Sequence, residues 1–175
     1  LSPAVGIAVA FALLRGLASS DGGKLGNFFV DVVRAVLYVL LPLSLVLALV
    51  GVWQGSPQTF QGYEMVQLLE PVSVDAEGAL VDADDPTAVQ EVTEAVVPLG
   101  PQSSQVAIKQ LGTNGGGFNG ANSASALENP TPLTNLLQCA AMPLIPFALV
   151  FAFGRMVGDR RQSRALMTVV LAILA

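Results

Sequence analysis

Ser103-Ser104-Gln105-Val106-Ala107-Ile108-Lys109-Gln110-Leu111-Gly112-Thr113-Asn114-Gly115-Gly116-Gly117-Phe118 lies between two long uncharged runs, and its reading decides the fold. The first nine of these residues suit a short helix. Ser103 or Ser104 is placed to cap its start, and Gly112 stands where it would stop. A helix of about nine residues is roughly 13 Å long at 1.5 Å per residue. That is about half of a bilayer's roughly 30 Å hydrocarbon core. Three consecutive glycines follow. They permit backbone angles that other residues resist, and they leave main-chain carbonyls uncovered.

Outward from this stretch the chain is almost bare of charge. No charged residue stands from position 35 to 63 or from 129 to 154. Each run exceeds the about 20 residues that cross a bilayer as a helix. Transmembrane helices are therefore expected at 28–52 and 132–154. Pro42, Pro143 and Pro146 lie within them, where neighbouring helices can satisfy the freed carbonyls. Asp31 and Arg34 stand one turn apart and can pair at i,i+3. Shorter apolar runs at 1–18 and 165–175 are the end of one transmembrane helix and the start of another. The chain opens on Leu1, and the expectation is a fragment. No basic region precedes the first apolar run, so a signal peptide is a poor reading. Of 175 residues, 53% are apolar and 12% charged, against roughly 25% charged in a soluble domain. Too few charges remain to coat a water-soluble surface. The absence of His removes His-based acid–base chemistry and His metal sites, and a single Cys excludes an internal disulfide. Cys139 reads as a small buried filler. A pI near 4.5 argues against nucleic acid.

The basic residues set the sides. Arg15, Lys24 and Arg34 flank the connection 19–27, and Arg155, Arg160, Arg161 and Arg164 fill 155–164. By the Lys/Arg bias both connections are cytoplasmic. The segment 53–102 holds Glu64, Glu70, Asp75, Glu77, Asp82, Asp84, Asp85, Glu91 and Glu94 with no Lys or Arg, which places it outside the cell. Its short Val/Leu runs at 72–74 and 96–99 allow a small strand-containing cap or an irregular loop.

Topology then constrains 103–131. The chain leaves one span on the outside and enters the next from the outside, so anything inserted between them goes in and comes back out. A half-length helix with an extended glycine-rich return is a re-entrant pore loop. Irregular backbone at that depth requires surrounding protein or a water-filled path. Rings of backbone carbonyls replace the hydration shell of K⁺, and the helix aims its negative end at the cation. The bland alternative is a flexible outer loop. The formal G-x-G-x-x-G at 115–120 lacks the βαβ context of a dinucleotide site. Lys109 either anchors at the outer interface or pairs with Glu128, and Glu128 either serves the outer mouth or caps the next helix. The architecture is thus an all-α membrane protein with one M1–re-entrant pore loop–M2 unit.

The run from Ile108 to Phe118, with Ala121-Asn122-Ser123-Ala124 and Glu128-Asn129-Pro130-Thr131, resembles the second pore loop of the potassium-binding A subunit of the bacterial Kdp potassium-transporting ATPase. The helix containing Leu40-Leu41-Pro42-Leu43-Ser44-Leu45 is similar to that family's helix before this loop. The resemblance covers essentially the whole chain and only part of the family's length. It implies a potassium-channel-like fold, four such units in one chain about a pseudo-fourfold axis, of which this chain holds one complete unit. It implies K⁺ as the transported ion. Thr113, Asn114, Gly115, Gly116 and Gly117 would form the selectivity filter, with K⁺ at Thr113, Gly115 and Gly116, and Asn122 would face the ion path below. The implied partners are the P-type ATPase B subunit, small accessory subunits and the lipid of the bacterial inner membrane. No nucleotide site is expected in this chain, consistent with a non-hydrolytic subunit. The family usually reads Phe-Phe-Asn-Ala-Asn-Ser-Ala-His-Pro after the glycines. Here Asn119 replaces an aromatic, Gly120 also departs, and Ser125 and Ala126 stand for His and Pro. The rival reading is a passive homotetrameric potassium channel subunit.

Overall fold

A computed structural model of the chain describes residues 1–19, 25–82, 86–113 and 116–174. It divides into two compact units, Leu1–Ser56 with Gln102–Ala175, and Pro57–Pro101.

The first unit is helical. Helix α1 (Ser2–Ala18) precedes α2 (Phe28–Arg34), which passes through a π-helical stretch (Ala35–Leu40) into α3 (Leu41–Trp53). Together α2, the π stretch and α3 form one 26-residue helix that contains an 18-residue stretch of mean hydropathy 2.6. The wide turn has a local cause. Pro42 has no N–H to give and its ring crowds the carbonyl four residues back, so the ladder loosens just ahead of it. Asn27 caps the start, its side chain accepting from Val30 N at 3.2 Å. After the second unit come α4 (Gln102–Gly112), a 3₁₀ turn (Ala121–Ser123), α5 (Pro132–Met156) and α6 (Arg160–Leu174). Thr131 and Thr134 start α5 with a reciprocal capping box. Pro143 and Pro146 lie inside α5. Phe28–Trp53 and Pro132–Met156 are long and apolar enough to cross a membrane.

The core is small. Ala4 and Ile7 of α1, Ala35 of the π stretch, Leu111 of α4 and Ile145 of α5 meet in one buried cluster, edged by Phe11, Val32, Leu40, Leu43, Leu47 and Leu149. The tip of α4 is thus driven into the helices around it. Most of the apolar surface of the two long helices points outward, with Phe29, Tyr38, Leu45, Val46, Leu49 and Trp53 exposed. Two expectations are corrected here. Asp31 pairs with Arg15 of α1 and not with Arg34: Arg15 Nη2 donates to Asp31 Oδ1 at 3.0 Å, and Nη1 reaches Oδ2 and the Leu25 carbonyl. The pair ties the last turn of α1 to the first turn of α2, the ends where a cation and an anion each suit the helix dipole. Cys139 is exposed on α5 and not a buried filler, its thiol lying 3.8 Å from Asn135 Oδ1 one turn earlier.

The second unit corrects the all-α reading. It is a three-stranded antiparallel sheet in the order β2-β1-β3, with β1 Tyr63–Val74, β2 Leu80–Val81 and β3 Gln90–Pro98. The register sets Glu64 opposite Val97, Glu94 opposite Gln67 and Glu91 opposite Ser73. No two strand carboxylates face each other directly across β1 and β3, and repulsion is avoided. The ladder shifts between Gln67 and Val72. Pro71, which cannot donate to a ladder, falls within that shift. Asp75 closes the β1–β2 turn, its Oδ1 accepting from Glu77 N at 2.9 Å and Ala79 N at 2.8 Å.

Candidate site at the glycine run after the short helix

Helix α4 is the most enclosed element of the first unit. Gln102, Ser103, Val106, Ala107, Lys109, Gln110, Leu111 and Gly112 are all buried. At 11 residues it is roughly 16 Å long. Both cap candidates, Ser103 and Ser104, follow the first residue of the helix, Gln102, and neither stands at its cap position. Ser103 lies inside the helix instead, and its Oγ donates to the Ala48 carbonyl of α3 at 2.8 Å. The approach of α3 and α4 is close enough to require Gly51: a Cβ there would collide with Ser103 Oγ.

The helix ends in Thr113, whose N–H still donates to the Gln110 carbonyl at 3.3 Å and whose φ is 54°. A β-branched residue in that left-handed region is strained. Asn114 and Gly115, named above as filter residues, lie outside the described residues. Gly116 and Gly117 are described and differ sharply. A Cβ on Gly116 would meet nothing within 4 Å. A Cβ on Gly117 would overlap the Gly120 carbonyl oxygen and sit 2.9 Å from the Gly120 carbonyl carbon and 2.9 Å from Lys109 Nζ. Both glycines line an open groove of about 270 Å³ with Gln105, Ile108 and Lys109. Asn122 sits in the 3₁₀ turn at φ 58°, ψ 25°, a left-handed conformation that Asn tolerates better than most residues.

One carboxylate organises what surrounds the glycines. Glu128 is 1% exposed. Its Oε2 accepts from Lys109 Nζ at 2.8 Å, and its Oε1 accepts from Phe118 N at 2.5 Å and Asn119 N at 2.8 Å. Its own carbonyl accepts from Gln138 Nε2 at 2.9 Å. Lys109 pairs with Glu128, and Glu128 does not cap α5, a task that Thr131 performs. Around the pair, Gln110 Nε2 donates to Ser123 Oγ and to Gln138 Oε1, each at 3.1 Å, and Asn119 Nδ2 donates to Gln102 Oε1 at 2.7 Å. Gln102, Gln110, Ser123 and Gln138 escaped the sequence reading. The available signal was an amide in an uncharged apolar helix, as at Gln138, where a polar group demands a partner.

The arrangement has a chemical meaning. The C-terminal end of α4 carries the partial negative charge of a helix terminus, and Gly116 and Gly117 share a groove with Gln105, Ile108 and Lys109 of that helix. The return limb is held by main-chain donors on a buried carboxylate.

The sequence model of the potassium-transporting ATPase A subunit family, KdpA, matches residues 1–175. Among curated relatives, the potassium-transporting ATPase potassium-binding subunit of Solidesulfovibrio magneticus is 54% identical over 175 residues, covering 100% of this chain and 30% of the relative. The subunit of the same name from Clostridium botulinum is 52% identical over 166 residues, covering 95% and 27%. That of Geobacter sulfurreducens is 50% identical over 182 residues, covering 99% and 31%. The chain thus spans about 30% of the length of the curated relatives it matches. With a match from end to end, the chain belongs to the KdpA family of potassium-transporting ATPase A subunits.

Proposed function

We propose that this chain supplies one K⁺-selecting unit of the membrane subunit of an ATP-driven potassium uptake system. The observation that carries the reading is the glycine backbone laid open to a groove at the C-terminal end of a buried half-length helix. Extracellular K⁺ would exchange its water for the carbonyls of residues 113–117 and the Thr113 hydroxyl, pass Asn122 below, and move on to the P-type ATPase B subunit. Small accessory subunits complete the complex. The chain would cross the inner membrane more than once, with 53–102 on the outer side. One unit cannot surround an ion. With this chain covering 30% of the first relative, the remaining wall would come from further units of a longer protein.

The test is Gly115→Asp in the complete protein. The expected result is a loss of K⁺ affinity or of K⁺/Na⁺ preference. Unchanged uptake kinetics and ion preference would overturn the proposal. The passive homotetrameric channel is disfavoured by the ATPase-subunit names of the relatives. It predicts an intact native mass near 18.1 kDa in a fourfold assembly, where the uptake subunit predicts a much larger mass with an ATPase subunit co-purifying.

A further inference from the structure

Lys109 is a full positive charge placed beside a cation path. It is 7% exposed, and its Nζ would lie 2.9 Å from a Cβ on Gly117. Opposite charges attract and like charges repel over distances shorter than the about 10 Å screening length, and burial weakens screening further. An uncompensated ammonium at this spot would oppose K⁺. Glu128 Oε2 at 2.8 Å from Nζ compensates it, and the other oxygen of the same carboxylate holds the N–H groups of Phe118 and Asn119. Both carboxylate oxygens are therefore used, one on charge and one on backbone.

We propose that Lys109 and Glu128 are positioning residues that act as a charge-balanced clamp: the pair fixes the backbone just past the glycines while keeping the net charge beside the ion path at zero. This rests on the K⁺-filter reading above. The two jobs of Glu128 separate by substitution. Glu128→Gln keeps an oxygen that accepts from Phe118 and Asn119 but leaves Lys109 unneutralised. Lys109→Met together with Glu128→Gln removes both charges and keeps the acceptor.

The experiment measures K⁺-stimulated ATP hydrolysis in the complete assembled complex, separating apparent K⁺ KM from turnover at saturating K⁺. Glu128→Gln is expected to raise KM by about tenfold or more, the equivalent of ~1.4 kcal/mol, with a smaller effect on turnover. The double variant is expected to return KM most of the way to wild type. A purely structural role would not produce that rescue, because the double variant is further from the native packing than the single. An unaltered KM in Glu128→Gln, or a double variant as impaired as the single, overturns the clamp. Should Glu128→Gln fail to assemble, the double variant decides alone: near-native KM supports charge balance and a raised KM refutes it. A wild-type complex with no K⁺ response would instead overturn the function reading, so the two failures are distinguishable.

Discussion

Gly117→Ala is the sharpest perturbation this structure offers, because Gly116→Ala is its built-in control. The two glycines are adjacent and the chemical change is one methyl group in each. At Gly117 the new Cβ would overlap the Gly120 carbonyl oxygen and stand 2.9 Å from the carbonyl carbon. Carbon atoms rest at about 3.5–4.0 Å, so even the milder contact is short by about 0.6 Å or more. The obstacle is backbone, which yields less readily than a side chain, and the displaced limb is the one bonded to Glu128 through Phe118 and Asn119. Overpacking of this kind costs about 1–3 kcal/mol. If about 2 kcal/mol were drawn wholly from ion binding, apparent K⁺ affinity would fall about thirtyfold. Gly116→Ala incurs none of this cost, since its Cβ meets nothing within 4 Å. The assay is the thermal unfolding midpoint of the complete purified protein, read beside K⁺ affinity. Gly117→Ala should lower the midpoint and Gly116→Ala should leave it in place. Indistinguishable midpoints would refute the close approach of Gly117 and Gly120.

Three further outcomes are expected. Leu111→Ala empties the cluster formed with Ala4, Ile7, Ala35 and Ile145, at about 2–5 kcal/mol, and should reduce the thermal midpoint of the complete protein more than Ile108→Ala, whose side chain is exposed. Ser103→Ala loses one hydrogen bond to α3, about 1 kcal/mol, and Gly51→Ala collides with the Ser103 hydroxyl. Combined, they should cost less than their sum, because removing the hydroxyl leaves a Cβ at Gly51 with Ser103 Cβ at an ordinary 3.6 Å; strict additivity in a double-mutant cycle would argue against this contact. Asn122→Gly should preserve stability while Asn122→Ala costs about 1 kcal/mol, the penalty of a Cβ in the left-handed region, and equal melting of the two variants would contradict the positive φ.

How much of this the sequence disclosed depended on how local the cause was. The long helices were legible because uncharged runs leave few other structures available. The short helix was legible from its ending at Gly112, and its capping was misread, because Ser103 finds its partner on α3, 55 positions away. The same reason misassigned Asp31: a spacing of three suggested Arg34, while folding brought Arg15 across from another helix. The sheet was legible only as an option, from the Val/Leu runs at 72–74 and 96–99 that end β1 and β3. Tyr63, Glu64, Met65 and Val66 of β1 are all exposed, so neither face imposed the alternation by which half-buried strands are recognised. Within the site, identical letters concealed different environments. Nothing in three successive glycines says that Gly116 is open and Gly117 is not. The pairing of Lys109 with Glu128 was visible only as an option, since a charge in an apolar helix needs a partner but does not name it.

The carboxylate of Glu128 closes a ring that runs from Phe118 round to itself. Two of the bonds that close it come from main-chain N–H groups, which every residue except proline possesses. An exchange of side chain at Phe118 or Asn119 therefore leaves those two closing bonds in place. Asn119, Gly120, Ser125 and Ala126, the departures from the pattern that the family resemblance implies, all fall within the ring. Asn119 keeps the required N–H and adds a bond to Gln102, and Ser125 turns the chain by accepting from Leu127 N at 3.2 Å. Gly117 and Glu128 have no such latitude, one for want of room and the other for its charge.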